Sequence, residues 1–417
     1  MKTLSFFLLL LIVMGCVPAA GQTTLEKLFR DRQFFELRDE LVKRPPEQSS
    51  TLLFYRGIVS NRFNKLDDSI LYLQDYLRSG NSVFARDAYE SLADAHLRKG
   101  EYGKAADTYK VLIEKFAKVS GLEKMKDYKN SYGLWNALRD IPPQRVEMSD
   151  DSSIQGTRDA AGLLNVPVEV GKHRLDLVFD TGANLSTITI STANRLGLRL
   201  IEADIAVGSS SSIKVKSKLA VAESLKIGSA VVHNVIFLVM EDKALYFPKA
   251  SYQIHGIIGL PVMEALGSLT IAKTDVLTIN ANSRAGGEPN MCLEDLNPLV
   301  EGEFRGKKMI FALDSGAAST TFYVKFFRAD RTRILKNAKP KLVNMGGAGG
   351  SVRMSAYYLN DLDIEIGGQA AHFAKAEIIT KAVNEDSRNF YGNLGQDLIK
   401  QFVSMTLDFR SMTIAFR

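Results

Sequence analysis

Asp180 and Asp314 stand in the same short setting. Leu177-Val178-Phe179 runs into Asp180-Thr181-Gly182-Ala183, and Phe311-Ala312-Leu313 runs into Asp314-Ser315-Gly316-Ala317. In both, an apolar triplet that reads as buried strand delivers a carboxylate, a small hydroxyl residue and a glycine. A carboxylate held at a strand end can take or give a proton. The glycine permits a tight turn and close approach of the backbone to a partner. The Thr181 and Ser315 hydroxyls can bond neighbouring backbone and stiffen the turn. One such triplet is a weak signal, arising by chance in roughly one chain in five of this length. A lone aspartate there is as readily a turn cap as a reactive group.

Repetition strengthens it. Ile257-Ile258-Gly259 ends 79 residues after Asp180, and Asn393-Leu394-Gly395 ends 81 residues after Asp314. Segments 257–271 and 393–407 align without a gap at an offset of 136, beside an offset of 134 for the two aspartates. Two units of similar length carry the same landmarks in the same order, the mark of an internal duplication.

These motifs resemble the retropepsin/pepsin aspartic proteases. The resemblance covers residues 162–417 as two retropepsin-like lobes in one chain and departs at Asn393, where an apolar residue is usual. It implies that each lobe is a small closed β unit, mostly antiparallel, with Gly259 and Gly395 packed beside the catalytic turns. It further implies that Asp180 and Asp314 form a catalytic dyad within one chain, so that dimerisation is not required. Thr181, Gly182, Ser315 and Gly316 would hold the turns. Like charges that close cannot both ionise, so the pair shares one proton. The ionised member takes a proton from a water that attacks the peptide carbonyl. The protonated member hydrogen-bonds the carbonyl oxygen and later helps protonate the leaving amine. No metal or organic cofactor is needed.

In that family a hairpin, the flap, folds over the bound peptide. Residues 207–212 and 345–351 lie in the corresponding places, with Gly208, Ser209, Gly346, Gly347 and Gly349 as flap candidates. Glycine and serine at a hairpin tip permit such motion; the plainer alternative is a solvent loop. A phosphate loop is excluded, because 346–350 is not followed by Lys-Ser/Thr.

The elements that must position these residues follow from the rest of the chain. Apolar residues make up 46% and charged residues 24% of 417, ordinary for a globular protein of two to four domains. The net charge of +6 forms no block, so a mixed solvated surface is expected rather than a nucleic-acid face. Residues 1–21 read as a signal peptide: Lys2, an apolar run too short for a mature membrane helix, then small residues. Cleavage after Ala19-Ala20-Gly21 would release a soluble chain. Alternatively, Val13-Met14-Gly15-Cys16 resembles a bacterial lipobox, making Cys16 a lipidation candidate and the membrane contact a lipid anchor. Both place the protein outside the cytoplasm, in a bacterial periplasm or cell envelope, or secreted.

Residues 22–140 read as a helical domain. Leu92, Ala93, Gly100, Tyr102, Ala105 and Tyr109 resemble the tetratricopeptide-repeat (TPR) pattern, with a weaker copy 36 residues earlier at Gly57, Asn64, Leu66, Ser69 and Leu73. Such stacks imply a concave face for extended peptides or a partner protein; the alternative is a plain helical bundle bracing the lobes. The expected architecture is multidomain α plus all-β: a TPR-like α-helical repeat, a linker at 141–160, then two pseudo-symmetric retropepsin-like β-barrel lobes at 161–284 and 285–417. Cys292 reads as a buried inert thiol, and the five histidines are scattered without metal-ligand spacing. No Gly-x-Ser-x-Gly or His-Glu-x-x-His occurs. The expected function is an exported aspartic endopeptidase acting on peptide or protein substrates. The alternatives are a non-catalytic peptide-binding scaffold, against which both intact acids argue, and a homodimer that pairs like lobes between chains.

Overall fold

The computed structural model describes residues 19–44, 49–208, 214–247, 251–283, 287–347 and 350–417. Cys16 and residues 1–18 of the expected signal peptide lie outside the described residues, as do Ser209 and Gly349.

The chain begins with helices: α1 (Ala19–Arg30), α2 (Phe34–Val42), α3 (Ser50–Arg62), α4 (Leu66–Arg78), α5 (Ala85–Arg98), α6 (Tyr102–Phe116) and α7 (Leu122–Ala137). Ser49 caps α3 by accepting from the Leu52 amide. Arg32, in the left-handed region at φ 56°, breaks the first helix from the second. The second helix therefore starts at Phe34. Consecutive helices pack against each other, with small residues where they approach. Ala93, Ala105 and Ala106 are fully buried, and a methyl on Gly57 would lie 2.6 Å from the Leu73 side chain. Phe54 stacks on Phe84 at 4.5 Å, beside the buried Tyr55 and Tyr76.

The remainder is β-rich. Strand Leu164–Val170 alternates, burying Leu164, Val166, Val168 and Val170 while the residues between face outward. It turns at Gly171, φ 57°, into His173–Phe179. Six strands close into a barrel in the order Ala230–Met240, Ser186–Thr189, Gly256–Ile258, His173–Phe179, Leu164–Val170 and Lys214–Ile227, the last pairing back onto the first. A second set closes the same way: Gln369–Ile379, Thr321–Phe322, Gly392–Leu394, Lys307–Leu313, Asn297–Phe304 and Gly350–Ile366. Parallel and antiparallel pairings fall at the same places in both, and closure leaves the six-strand ring without an open edge.

A five-stranded sheet joins the barrels in the order Ser152–Gln155, Val276–Ile279, Ser268–Ala272, Ser404–Asp408 and Thr413–Phe416. Its centre pairs Thr270 with Thr406, hydroxyl oxygens 2.9 Å apart. These are equivalent positions of the two segments that align at an offset of 136.

The stretch read as a linker, 141–160, needs correcting. Arg145–Glu147 pairs with the first barrel, Ser152–Gln155 enters the joining sheet, and Thr157–Arg158 pairs with Leu164–Val170. Its polar composition hides an alternation that buries Ser152 and Ile154.

The helices are fastened to both barrels. The guanidinium of Arg98, whose side chain is 1% exposed, donates to Glu264 at 2.7 Å, to the Asn61 carbonyl at 2.8 Å and to Asn64 at 2.7 Å. Arg62 and Arg32 both pair with the buried Glu294 of the second barrel. Tyr102, Leu134 and Trp135 pack on Ile205, Leu219 and Ile236 of the first. Arg98→Ala would leave Glu264 without its cation and remove the longer, 3.9 Å pair of Arg98 with the buried Asp94. Breaking a buried pair costs about 3–5 kcal/mol, so urea unfolding should show a loss of that order; a loss under 1 kcal/mol would mean the helices are not held by this contact.

Candidate active site

Each aspartate sits where a central barrel strand ends. The Asp180 amide donates to the Ile258 carbonyl at 3.0 Å, and the Asp314 amide to the Leu394 carbonyl at 2.9 Å. Both backbones are thus fixed by the strand that carries the downstream glycine. Gly259 and Gly395 are required there by space. A methyl on Gly259 would lie 2.7 Å from the Ala183 carbonyl, and one on Gly395 2.9 Å from that of Ala317. Their amides donate to Ser186 and Thr320 hydroxyls, both at 3.0 Å.

The two turns meet. The Thr181 amide donates to the Ser315 hydroxyl at 3.0 Å, and the Ser315 amide to the Thr181 hydroxyl at 2.9 Å. Each hydroxyl then donates across the junction, Thr181 to the Leu313 carbonyl at 2.9 Å and Ser315 to the Phe179 carbonyl at 2.8 Å. Both side chains are fully buried, so four directed bonds fix one turn against the other. The glycines let the carboxylates face each other. A methyl on Gly182 would lie 2.6 Å from the Asp314 carboxyl carbon, and one on Gly316 would overlap the Asp180 carboxylate.

Asp180 Oδ1 accepts from the Gly182 amide at 2.8 Å, and Asp314 Oδ1 from the Gly316 amide at 2.9 Å. Burial, and next the charge of Asp314, push the Asp180 pKa well above the usual carboxylate range; the Gly182 amide opposes this in part. Both residues remain half-buried, so the pair is open to a reactant. Two facing carboxylates that cannot both ionise supply one base and one acid at the same point.

Of the flap candidates, Gly208 ends strand Arg199–Gly208 and pairs with Lys214, while Gly346 and Gly347 pair with Ser351 and Gly350. Residues 345–347, read from sequence as loop, are therefore strand. Among the described residues no group of three His, Cys, Asp or Glu is placed to hold a metal ion, and no helix is long and apolar enough to cross a membrane. Cys292 is buried, and burial pushes its thiol pKa up.

Several contacts at the site are invisible to motif reading. The buried Gln396 donates to the Ser315 carbonyl at 2.6 Å and accepts from Arg158 at 2.8 Å, tying the second turn to the first barrel's leading strand. Asn184 donates to the Asp295 carbonyl at 2.7 Å, another bond between the halves. Asn393 donates to Asp314 Oδ2 at 2.7 Å. Its signal was in the sequence, as a polar amide in an apolar slot.

Residues 166–262 match the profile of a family described as Aspartyl protease. The match spans the first barrel with Asp180 and Gly259, and it points to protease activity. No curated protein registers as similar to the chain.

Two outcomes are expected. Thr181→Val keeps the shape but leaves the Ser315 amide and the Leu313 carbonyl without the bonds they make to it, at about 1–3 kcal/mol each; urea unfolding should show a loss of roughly 2–6 kcal/mol. Asp180→Asn tests the raised pKa. Well below pH 4, Asp180 is protonated in folded and unfolded chains. As pH rises, the unfolded chain ionises first and the native state loses stability through the raised folded pKa. The variant's stability advantage should therefore be small at pH 4 and grow toward pH 7, whereas a shrinking advantage would contradict a raised pKa.

Proposed function

We propose that this chain is an exported aspartic endopeptidase, with two retropepsin-like lobes that supply Asp180 and Asp314 as a dyad within one chain. The observation that carries the reading is the junction of the two Asp-Thr/Ser-Gly turns. Reciprocal hydroxyl–amide bonds lock them together, and each glycine leaves room for the opposite carboxylate. The repeated six-strand pairing and the central Thr270–Thr406 contact support an internal duplication. The family match over 166–262 supports the chemistry.

In this reading the ionised carboxylate takes a proton from water, whose oxygen attacks the peptide carbonyl, while the protonated one hydrogen-bonds the carbonyl oxygen. The paired strands Lys339–Gly347 and Gly350–Ile366, and Arg199–Gly208 with Lys214–Ile227, are the hairpins that would fold over a peptide. The helices form a TPR-like domain that braces the lobes and offers a surface for a protein partner. The apolar start of the chain directs export, with Cys16 as a possible point of lipid anchoring.

Cleavage of a mixed peptide library from pH 3 to 8 tests this. Wild type should cut, and Asp180→Asn and Asp314→Asn should each lose about 10²–10⁴-fold in rate, the usual worth of a general acid or base. Loss in only one variant would indicate like lobes paired between chains, and no cleavage by a folded wild type would favour a peptide-binding scaffold. Activity should lie on the acid-to-neutral side, since a dyad that shares one proton fails once both groups ionise. A rate still rising above pH 9 would sink the shared-proton mechanism.

A further inference from the structure

The two aspartates receive matching bonds from their own turns and from the neighbouring strand, and differ in one side-chain donor. Ile257 pairs with Val178, two residues before Asp180; Asn393 pairs with Ala312, two residues before Asp314. Both positions are half-buried, and the backbone and glycine-amide bonds to the aspartates match within 0.1 Å. Only the side chains differ. Asn393 Nδ2 donates to Asp314 Oδ2 at 2.7 Å, while Ile257 has nothing to donate.

An unpartnered amide in a half-buried slot is costly, so the Asp314 carboxylate and Asn393 account for each other. An amide N–H can donate only to a lone pair, and its bond to an oxygen is stronger when the acceptor is ionised. The geometry therefore favours one of the two ways of placing the shared proton. We infer that Asn393 is a positioning residue that breaks the symmetry of the pair, holding the negative charge on Asp314 and leaving the shared proton on Asp180. This rests on the dyad reading above.

Asp180 faces Asp314, and the buried Tyr323 phenol, its pKa raised by burial and then by the Asp386 and Asp314 carboxylates, lies near it. Among the described residues no cation forms an ion pair with either aspartate that could assign the proton instead. Burial and the facing charges push the pair toward holding one proton, against the Gly182 and Gly316 amides.

The assignment gives each acid a role. Asp314 takes a proton from water as the water oxygen bonds to the carbonyl carbon, and the Asp180 proton passes to the carbonyl oxygen. When the C–N bond breaks, the amine nitrogen takes the proton held by Asp314. One hydroxyl of the gem-diol returns a proton to Asp180, and the pair ends as it began.

The test uses the full chain labelled with carboxyl-¹³C aspartate, with the two resonances assigned from Asp180→Asn and Asp314→Asn. Between pH 4 and 6, Asp314 should resonate as a carboxylate and Asp180 as a carboxylic acid. In Asn393→Leu that separation should collapse. In the double variant Asn393→Leu/Ile257→Asn, which moves the donor to the other barrel, it should reverse. In peptide cleavage, the acid limb of kcat/KM should move up by about one to two pH units in Asn393→Leu, the worth of one hydrogen bond to a charged group. Wild-type resonances in the opposite order would overturn the inference even if both Asn393 variants misfolded. An acid limb and resonances unmoved in Asn393→Leu would overturn it while leaving the dyad intact. The dyad reading itself stands or falls separately, on whether Asp180→Asn and Asp314→Asn lose cleavage.

Discussion

Thr181 and Ser315 exchange amide–hydroxyl bonds across the junction of the two barrels, and the rest of the β region is arranged to let them do so. Each hydroxyl accepts from the opposite turn and donates to the carbonyl just before the opposite aspartate. All partners are buried, where an unmade bond carries its full desolvation cost. The turns can therefore sit in essentially one relative position. That position puts two carboxylates face to face, which electrostatics alone would resist.

The resistance is considerable. Two carboxylates in a low-dielectric junction repel, and burial adds to the penalty, as the raised Asp180 pKa records. The arrangement is held by structure formed elsewhere. Two closed barrels fix the strand ends, the joining sheet pins their relation at Thr270 and Thr406, and Gln396, Asn184 and Arg158 add bonds between the halves. The helices contribute through Arg98 on the first barrel and Arg32 and Arg62 on the second. They also cover the hairpin that carries Ile205 and Leu219, so that hairpin is backed by protein at its base. The hairpin at 339–366 is backed instead by the short helix Val324–Ala329, whose Phe327 stacks on Tyr357 at 5.8 Å, so two barrels of the same strand order sit in different settings.

Much of this was legible in the chain. The apolar triplets before Asp180 and Asp314 are strands because their side chains fill barrel interiors, and a buried strand needs a continuous apolar run. The downstream glycines were legible because only a residue without a side chain fits against the opposing carbonyl. Gly100, legible as the glycine of the repeat pattern, takes φ 71° just past the end of helix α5. The strands within 141–160 were not. Three short segments, of which only Ser152–Gln155 buries residues, carry too little periodic signal, and the partners of the first two lie far along the chain.

The sequence by itself determined that two acids occupy matching turns, because the local order of apolar strand, carboxylate, hydroxyl and glycine is written contiguously and written twice. Only the tertiary structure decided that the turns lock against each other, that Arg98 and Glu264 meet from 166 positions apart, and that Asn393 reaches Asp314 and not another group. These are contacts between distant segments, made when barrels close and pack. A residue's type shows that it can donate a hydrogen bond; the fold chooses the acceptor.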